Sequence, residues 1–330
     1  MMPQKACVVA ATLLLLQFVR LGGTQQPKED ASFFSQCGIP SDDSVPTILG
    51  GFVINRGQYP WLVNLRLRAA VNEVACGGVI VTPDLVITAA HCLYSTSKTT
   101  GKLREPEEFW VYVNSHNVHD ESDGSSRVAV KRLFVHPKYD HSIGSNTFDI
   151  AIVQTLIRMP VLRPICLPCL GIYTVPFEPA VGTHCIVVGW GMTNSGFYAS
   201  VARDADVEIK SREYCNAKEM WDGRLDETMM CAAKPGDDTT CLGDSGGPLM
   251  CVDKHDENQY YLSGVISWGS AKCDSRSAVY TNVAKVRKWI AHVAIQTGHR
   301  ELCKRVDNML PVPCDDTTCK PTGKAPHCDA

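Results

Sequence analysis

From Ile48 to Val283 the chain is a succession of short β-like runs separated by Gly, Pro, Asn and Asp. The clearest are Trp61–Leu67, Gly78–Val81, Leu85–Ala89, Phe109–Val113, Val128–Phe134, Cys185–Val188, Tyr261–Ser267 and Ala278–Thr281. Runs this short bury their side chains by pairing with one another, so the pattern predicts an all-β barrel or sandwich. No internal repeat of fixed period is visible. The apolar fraction of 45% is enough to fill a sizeable core. The period changes once, over Asn282–Gln296. There Val283, Val286, Ile290 and Val293 recur three or four apart and predict a terminal helix, with Gly298 as its stop. Lys285, Arg287 and Lys288 lie mostly off that stripe and read as a solvated face.

Residues 1–24 have the pattern of a secretory leader. Lys5 supplies the positive start, Ala6 to Val19 the apolar stretch, and Gly22, Gly23 and Thr24 the small residues for cleavage. The apolar stretch is shorter than the ~20 residues that span a bilayer, so no membrane span is expected. Of the sixteen cysteines, Cys7 falls in the leader, which leaves fifteen in an exported chain. Such a content reads as disulfide-bonded and extracellular. The spacing lacks the paired Cys-x-x-Cys clusters of a zinc site, and no metal or other cofactor is expected. Residues 25–47 are polar and proline-containing and read as a pro-segment. The main domain is expected over 48–297, and 298–330 forms a tail with Cys303, Cys314, Cys319 and Cys328. The tail is too short for a core of its own. A net charge of −3 points to neither nucleic acid nor acidic lipid as a partner.

Three segments carry chemistry. Gly243-Asp244-Ser245-Gly246-Gly247-Pro248 places a serine among glycines, where no Cβ hinders close approach. A serine hydroxyl is a weak nucleophile at neutral pH and needs a base, and the base needs a group to orient it. Thr88-Ala89-Ala90-His91-Cys92 ends an apolar strand and presents one histidine. Asp149-Ile150-Ala151-Ile152-Val153 opens another strand with one carboxylate. Alone, each segment has an ordinary reading: a Gly-rich loop, one of ten histidines, a turn aspartate. Together, in the order His, Asp, Ser, they match one known arrangement of a nucleophilic triad.

On these segments, and on Ile48-Leu49-Gly50-Gly51, Tyr59-Pro60-Trp61, Cys76-Gly77-Gly78, Gly189-Trp190-Gly191 and Ser267-Trp268-Gly269, the chain from Ile48 to about Gln296 resembles the chymotrypsin/trypsin family of serine peptidases. The resemblance implies two packed six-stranded antiparallel β-barrels with a C-terminal α-helix, and the site between the barrels. It implies a secreted serine endopeptidase acting through an acyl-enzyme. Ser245 would attack the scissile carbonyl, His91 would act as base and then acid, and Asp149 would hold the imidazole. The N–H groups of Gly243 and Ser245 would form the oxyanion hole, and Ser267, Trp268 and Gly269 would pair with the substrate backbone. It further implies the disulfides Cys76–Cys92, Cys185–Cys251, Cys215–Cys231, Cys241–Cys273 and Cys37–Cys166, the last tying the pro-segment to the domain. Cys169, Cys303, Cys314, Cys319 and Cys328 are left without assigned partners. The implied partners are protein or peptide substrates, protein inhibitors and an activating peptidase. The rival reading is a catalytically inactive relative that acts as a binding or signalling module.

The same resemblance puts Thr239 at the floor of the primary specificity pocket, Ala278 on its wall, Gly269 at its mouth and Trp221 behind it. Threonine offers no charge for a buried Lys or Arg, so a medium or large apolar side chain is expected before the cut, with a small-residue preference second. A shifted register that brings Asp237 or Asp238 into the pocket is the alternative. Two features depart from the family. Thr47, not Arg or Lys, precedes Ile48, whose freed ammonium would pair with Asp244 on activation; no Lys or Arg occurs between Lys28 and Arg56. In the segment Asn114–Ser126, which resembles a calcium loop, Ser115 and Ser125 stand at the usual glutamate positions. With Asp120, Glu121 and Asp123 it reads as a solvated acidic loop.

Overall fold

The computed structural model describes residues 36–41, 53–70, 74–95, 101–120, 122, 124–142, 146–160, 163–168, 178–191, 198–233, 245–253, 256–270, 276–303, 319–320 and 327–328. Six strands come first: β1 (Leu62–Leu67), β2 (Cys76–Thr82), β3 (Leu85–Thr88), β4 (Phe109–Val113), β5 (Ser126–Val135) and β6 (Ala151–Thr155). They close into an antiparallel barrel in the order β1-β2-β3-β6-β5-β4. Six more follow: β7 (His184–Gly189), β8 (Arg203–Lys210), β9 (Met229–Ala233), β10 (Pro248–Asp253), β11 (Asp256–Trp268) and β12 (Ala278–Asn282). These close in the order β10-β11-β12-β9-β8-β7. Both rings have the same connectivity, because the second is β7-β8-β9-β12-β11-β10 read the other way. The repeat lies in topology and not in sequence. Closure depends on apolar residues facing inward and on hairpin order, and many sequences satisfy both. A separate two-stranded hairpin pairs Cys319–Lys320 with His327–Cys328 in backbone register.

The apolar runs do what their composition dictates. Every residue of β2, β3 and β6 is buried. A fully buried aliphatic side chain contributes roughly 1.5–3 kcal/mol, so Val79, Ile80, Val86, Ile87 and Val153 are a large part of the first barrel's stability. Strand β8 was not among the clearest runs, since Arg203-Asp204-Ala205-Asp206 opens it. Only Val207 and Ile209 of this strand are buried and apolar. Among the described residues four disulfides add cross-links: Cys37–Cys166, Cys76–Cys92, Cys185–Cys251 and Cys215–Cys231. Cys185 and Cys251 face each other across β7 and β10. Cys241, Cys273 and Cys169 lie outside the described residues. Residues 36–41 lie against the body. Gly38 N–H donates to Pro164 O at 2.8 Å and Tyr260 N–H to Gly38 O at 2.8 Å. Gly38 has φ +69°, and a Cβ there would run into Tyr260 O, so the contact requires glycine.

The helix α2 (Val283–Gln296) follows the short α1 (Arg212–Cys215). Asn282 caps α2 by accepting from Ala284 N–H at 3.1 Å. Its buried stripe holds Val283, Val286, Ile290 and Val293, and Gly298 follows at φ +94°. No described helix is long and apolar enough to cross a membrane. Packing continues beyond 297, because His299 and Leu302 are both buried. His299 Nε2 pairs with Asp84 Oδ1 at 2.5 Å, in the β2–β3 turn of the first barrel. Gln154 Nε2 donates to the other carboxylate oxygen at 2.9 Å. Burial alone would raise the Asp84 pKa, but the His299 and Gln154 hydrogen bonds and the imidazolium charge bring it below the usual value. A carboxylate with a depressed folded pKa adds stability that is complete above its unfolded value of about 3.9 and is lost as pH falls through the folded value. Asp84→Asn is therefore expected to destabilise the protein by about 2 kcal/mol at neutral pH. Thermal melts between pH 7 and pH 2 should show the difference from wild type shrinking only below about pH 4.

Candidate active site

The strand β3 ends at Thr88, and a 3-10 turn over Ala90–Leu93 carries His91 into the space facing the second barrel. Asp149, two residues before β6, is completely buried. The pairing of β3 with β6, Thr88 against Ala151, puts the two segments side by side. Asp149 Oδ2 lies 2.7 Å from His91 Nδ1, and Oδ1 accepts from the His91 backbone N–H at 2.9 Å. The carboxylate thus binds both the ring and the backbone of the same residue, which fixes the imidazole's position. With Nδ1–H given to Asp149, the tautomer leaves the Nε2 lone pair available.

The second barrel completes the environment of the carboxylate. Ser267 Oγ donates to Asp149 Oδ2 at 2.6 Å, and Thr281 Oγ1 donates to Asp149 O at 2.7 Å. Burial pushes the Asp149 pKa up, but the His91 charge and the hydrogen bonds from His91 and Ser267 outweigh it and hold the carboxyl ionised. For His91, burial pushes the pKa down, while the charge and hydrogen bond of Asp149 win and raise it. The opposite shifts belong to one ion pair in a low-dielectric setting. The imidazole side chain is 28% exposed, so its outer edge meets solvent while Asp149 does not.

Ser245 stands at the start of a turn that leads into β10. Its backbone is held by both barrels. Gly77 N–H donates to Ser245 O at 2.8 Å, Gly246 N–H donates to Ile266 O at 2.8 Å, and Ile266 N–H donates to Gly247 O at 2.9 Å. Gly246 has φ +83°, and a Cβ there would strike Thr88 Oγ1 and come within 2.6 Å of Gly77 O. Only glycine allows the serine loop to lie this close to the strand end that carries His91. Cys92 Sγ sits 3.8 Å from His91 Nε2 and 3.6 Å from Ser245 O, which puts both residues around one sulfur. That sulfur is bonded to Cys76, so Cys76, Cys92 and His91 offer no thiolate pair for a metal ion. A buried carboxylate, an oriented imidazole with a free nitrogen and a serine loop are the parts needed for proton transfer from a hydroxyl.

Ser267 and Thr281 bring side-chain roles that the sequence did not suggest. Ser267 stood out only for its backbone, and Thr281 had no signal. Trp221 is buried and donates from Nε1 to Ser277 O at 2.9 Å, next to the buried Ala278. Its ring meets Trp268 edge-on, with centroids 4.7 Å apart. Thr239, Gly243, Asp244 and Ile48 lie outside the described residues, as do Glu121 and Asp123. Asp120 Oδ1 accepts from Ser122 N–H at 2.9 Å and from Ser122 Oγ at 2.6 Å, a turn closed on itself.

Comparison with known proteins agrees with this architecture. A family model described as Trypsin matches residues 48–290. Ovochymase of Halocynthia roretzi is 32% identical over 278 residues, which cover 80% of this chain and 16% of that protein. The chain thus spans about a sixth of that relative's length. Among solved structures, neuropsin, a serine protease expressed in the limbic system of mouse brain, matches with TM-score 0.59 and 28% identity. The match covers 74% of this chain and 99% of that one.

Proposed function

Because this chain belongs to the trypsin family, we propose that it is a secreted serine endopeptidase that cuts after medium or large apolar residues through an acyl-enzyme. The observation that carries the reading is the Asp149–His91 pair, held from the second barrel by Ser267 and facing the loop of Ser245. His91 Nε2 takes the Ser245 proton as Oγ attacks the scissile carbonyl, and returns it to the leaving amine. Water then repeats the cycle on the acyl-enzyme. The charge of Asp149 stabilises the imidazolium at both steps, which its ionised, buried state supports. The Gly243 and Ser245 N–H groups stabilise the oxyanion, each donor contributing about 3 kcal/mol to lowering the barrier.

The domains are a leader (1–24), a pro-segment (25–47), the peptidase (48–297) and a cysteine-containing tail (298–330). The disulfides suit an extracellular protein. Through Cys37–Cys166 the pro-segment stays attached after a cut at Thr47–Ile48. That cut is made by a peptidase that does not require Lys or Arg, and the new Ile48 ammonium pairs with Asp244. The apolar preference rests on Thr239 as the uncharged pocket floor, with Ala278 on the wall and Trp221 behind it. Processed protein given matched peptides is expected to cleave after Phe or Leu at least tenfold faster than after Lys or Arg, since a buried unpaired cation loses well over 1.4 kcal/mol. Faster cleavage after Lys or Arg would overturn the pocket assignment.

A further inference from the structure

We propose that Arg224 and Arg276 form a cationic subsite that selects an acidic side chain in the substrate, within four residues on the N-terminal side of the scissile bond. The inference rests on the endopeptidase reading and names the class of substrate. Strand β11 outruns its neighbour on one side. β10 begins at Pro248 opposite Val265, and the last links on that edge are those of Gly246 and Gly247 to Ile266. Trp268 pairs with Val279 of β12 on the other edge and is opposed by no strand on the β10 side among the described residues. An extended peptide can add there in β10's place. β10 runs antiparallel to β11, so a peptide in its line points its C-terminal end at Ser245 and lays its preceding residues along Ser267, Trp268 and Gly269. Each residue advances about 3.3 Å, so the side chains that pass Trp268 belong to the few positions just before the cut.

Two guanidinium groups wait at that place. Arg224 is exposed, with its guanidinium carbon 4.7 Å from the Trp268 ring centroid, and makes no ion pair among the described residues. Arg276 lies 4.7 Å from the Trp221 centroid and donates from Nη2 to Ser270 Oγ at 3.0 Å, one residue beyond Gly269. The two indoles touch edge to face, so arginine, tryptophan, tryptophan and arginine form one continuous row. A guanidinium over an indole face is held in place, and the exposed Arg224 group presents N–H donors of the kind that bind a carboxylate in bidentate fashion, with the charge of Arg276 beside it. Lysine in the substrate would meet like charge at the same place.

Peptides that share the residue before the cut and differ only in carrying Glu, Gln or Lys at one of the three preceding positions test this. The expected result is a kcat/KM for the best Glu peptide about threefold to tenfold above its Gln counterpart at low salt. The ratio should fall towards one in 0.5 M salt, where the Debye length is only about 4 Å. Arg224→Glu should reverse the order so that Lys is preferred, and Arg276→Gln should narrow the Glu-to-Gln ratio. Equal rates for Glu and Lys in the wild type, or a Glu preference kept intact in Arg224→Glu, would overturn the subsite and leave the endopeptidase reading standing. No cleavage of any peptide, with no labelling by a serine-directed phosphonate, would overturn both.

Discussion

Alanine in place of Ser245 is expected to lower kcat by about a millionfold in the processed protein and to abolish labelling by a serine-directed phosphonate. The substitution removes the proposed nucleophile, the atom that would form the acyl bond. The proposed oxyanion donors and substrate-binding edge are untouched, so a residual rate of about a thousandfold over water is all that should remain. The fold should be unaffected, since the described bonds that hold this loop run through the backbone: Ser245 O to Gly77 N–H, and Gly246 and Gly247 to Ile266. A melting temperature near that of wild type separates loss of chemistry from loss of structure. If the alanine protein kept more than about one per cent of the activity, Ser245 would not be the nucleophile.

Asp149→Asn is expected to reduce kcat/KM about ten-thousandfold. The carboxylate accepts from His91 Nδ1, His91 N–H and Ser267 Oγ. An amide has one acceptor oxygen and must present N–H to at least one of those donors. Relief comes from moving the ring proton to Nε2, which removes the lone pair that the proposed mechanism uses to receive the serine proton. The pH dependence should change as well. Asp149 is what raises the His91 pKa against burial. Without its charge burial prevails and the pKa falls. The proposed mechanism requires neutral His91, so the acid limb of kcat/KM should move to lower pH in the variant, and a limb that moved up or stayed would contradict the pairing. Ser267→Ala should act in the same direction but by less, because it removes one donor and leaves the charge.

Much of the fold could be read from local pattern. Phe109–Val113 is a strand with those same ends, and the stripe over Asn282–Gln296 is the helix α2. Strand β8 was hidden because its exposed face is charged and only two of its positions, Val207 and Ile209, are buried and apolar. The shared connectivity of the two barrels was invisible, since it is a property of pairing and not of residue identity. Of the site, His91 and Asp149 each carry a local signal and come together as a hydrogen-bonded pair. Gly246 also had a sequence reason, close approach, and its positive φ against Thr88 gives that reason a definite contact.

What the sequence alone determined is the chemistry on offer and the class of fold: a serine among glycines, a histidine at a strand end, a carboxylate at a strand start, and runs of apolar residues that must close on themselves. What only the tertiary structure decided is which groups hold these in place. Ser267 reaches Asp149 across 118 residues and Thr281 across 132. His299 reaches back to Asp84, and Arg224 settles on Trp268. Local periodicity reports which face of an element is buried, because burial follows from the repeat of the backbone. It says nothing about which distant hydroxyl or guanidinium meets that face, because that depends on how two closed barrels pack and on the directional geometry of single hydrogen bonds and ring contacts.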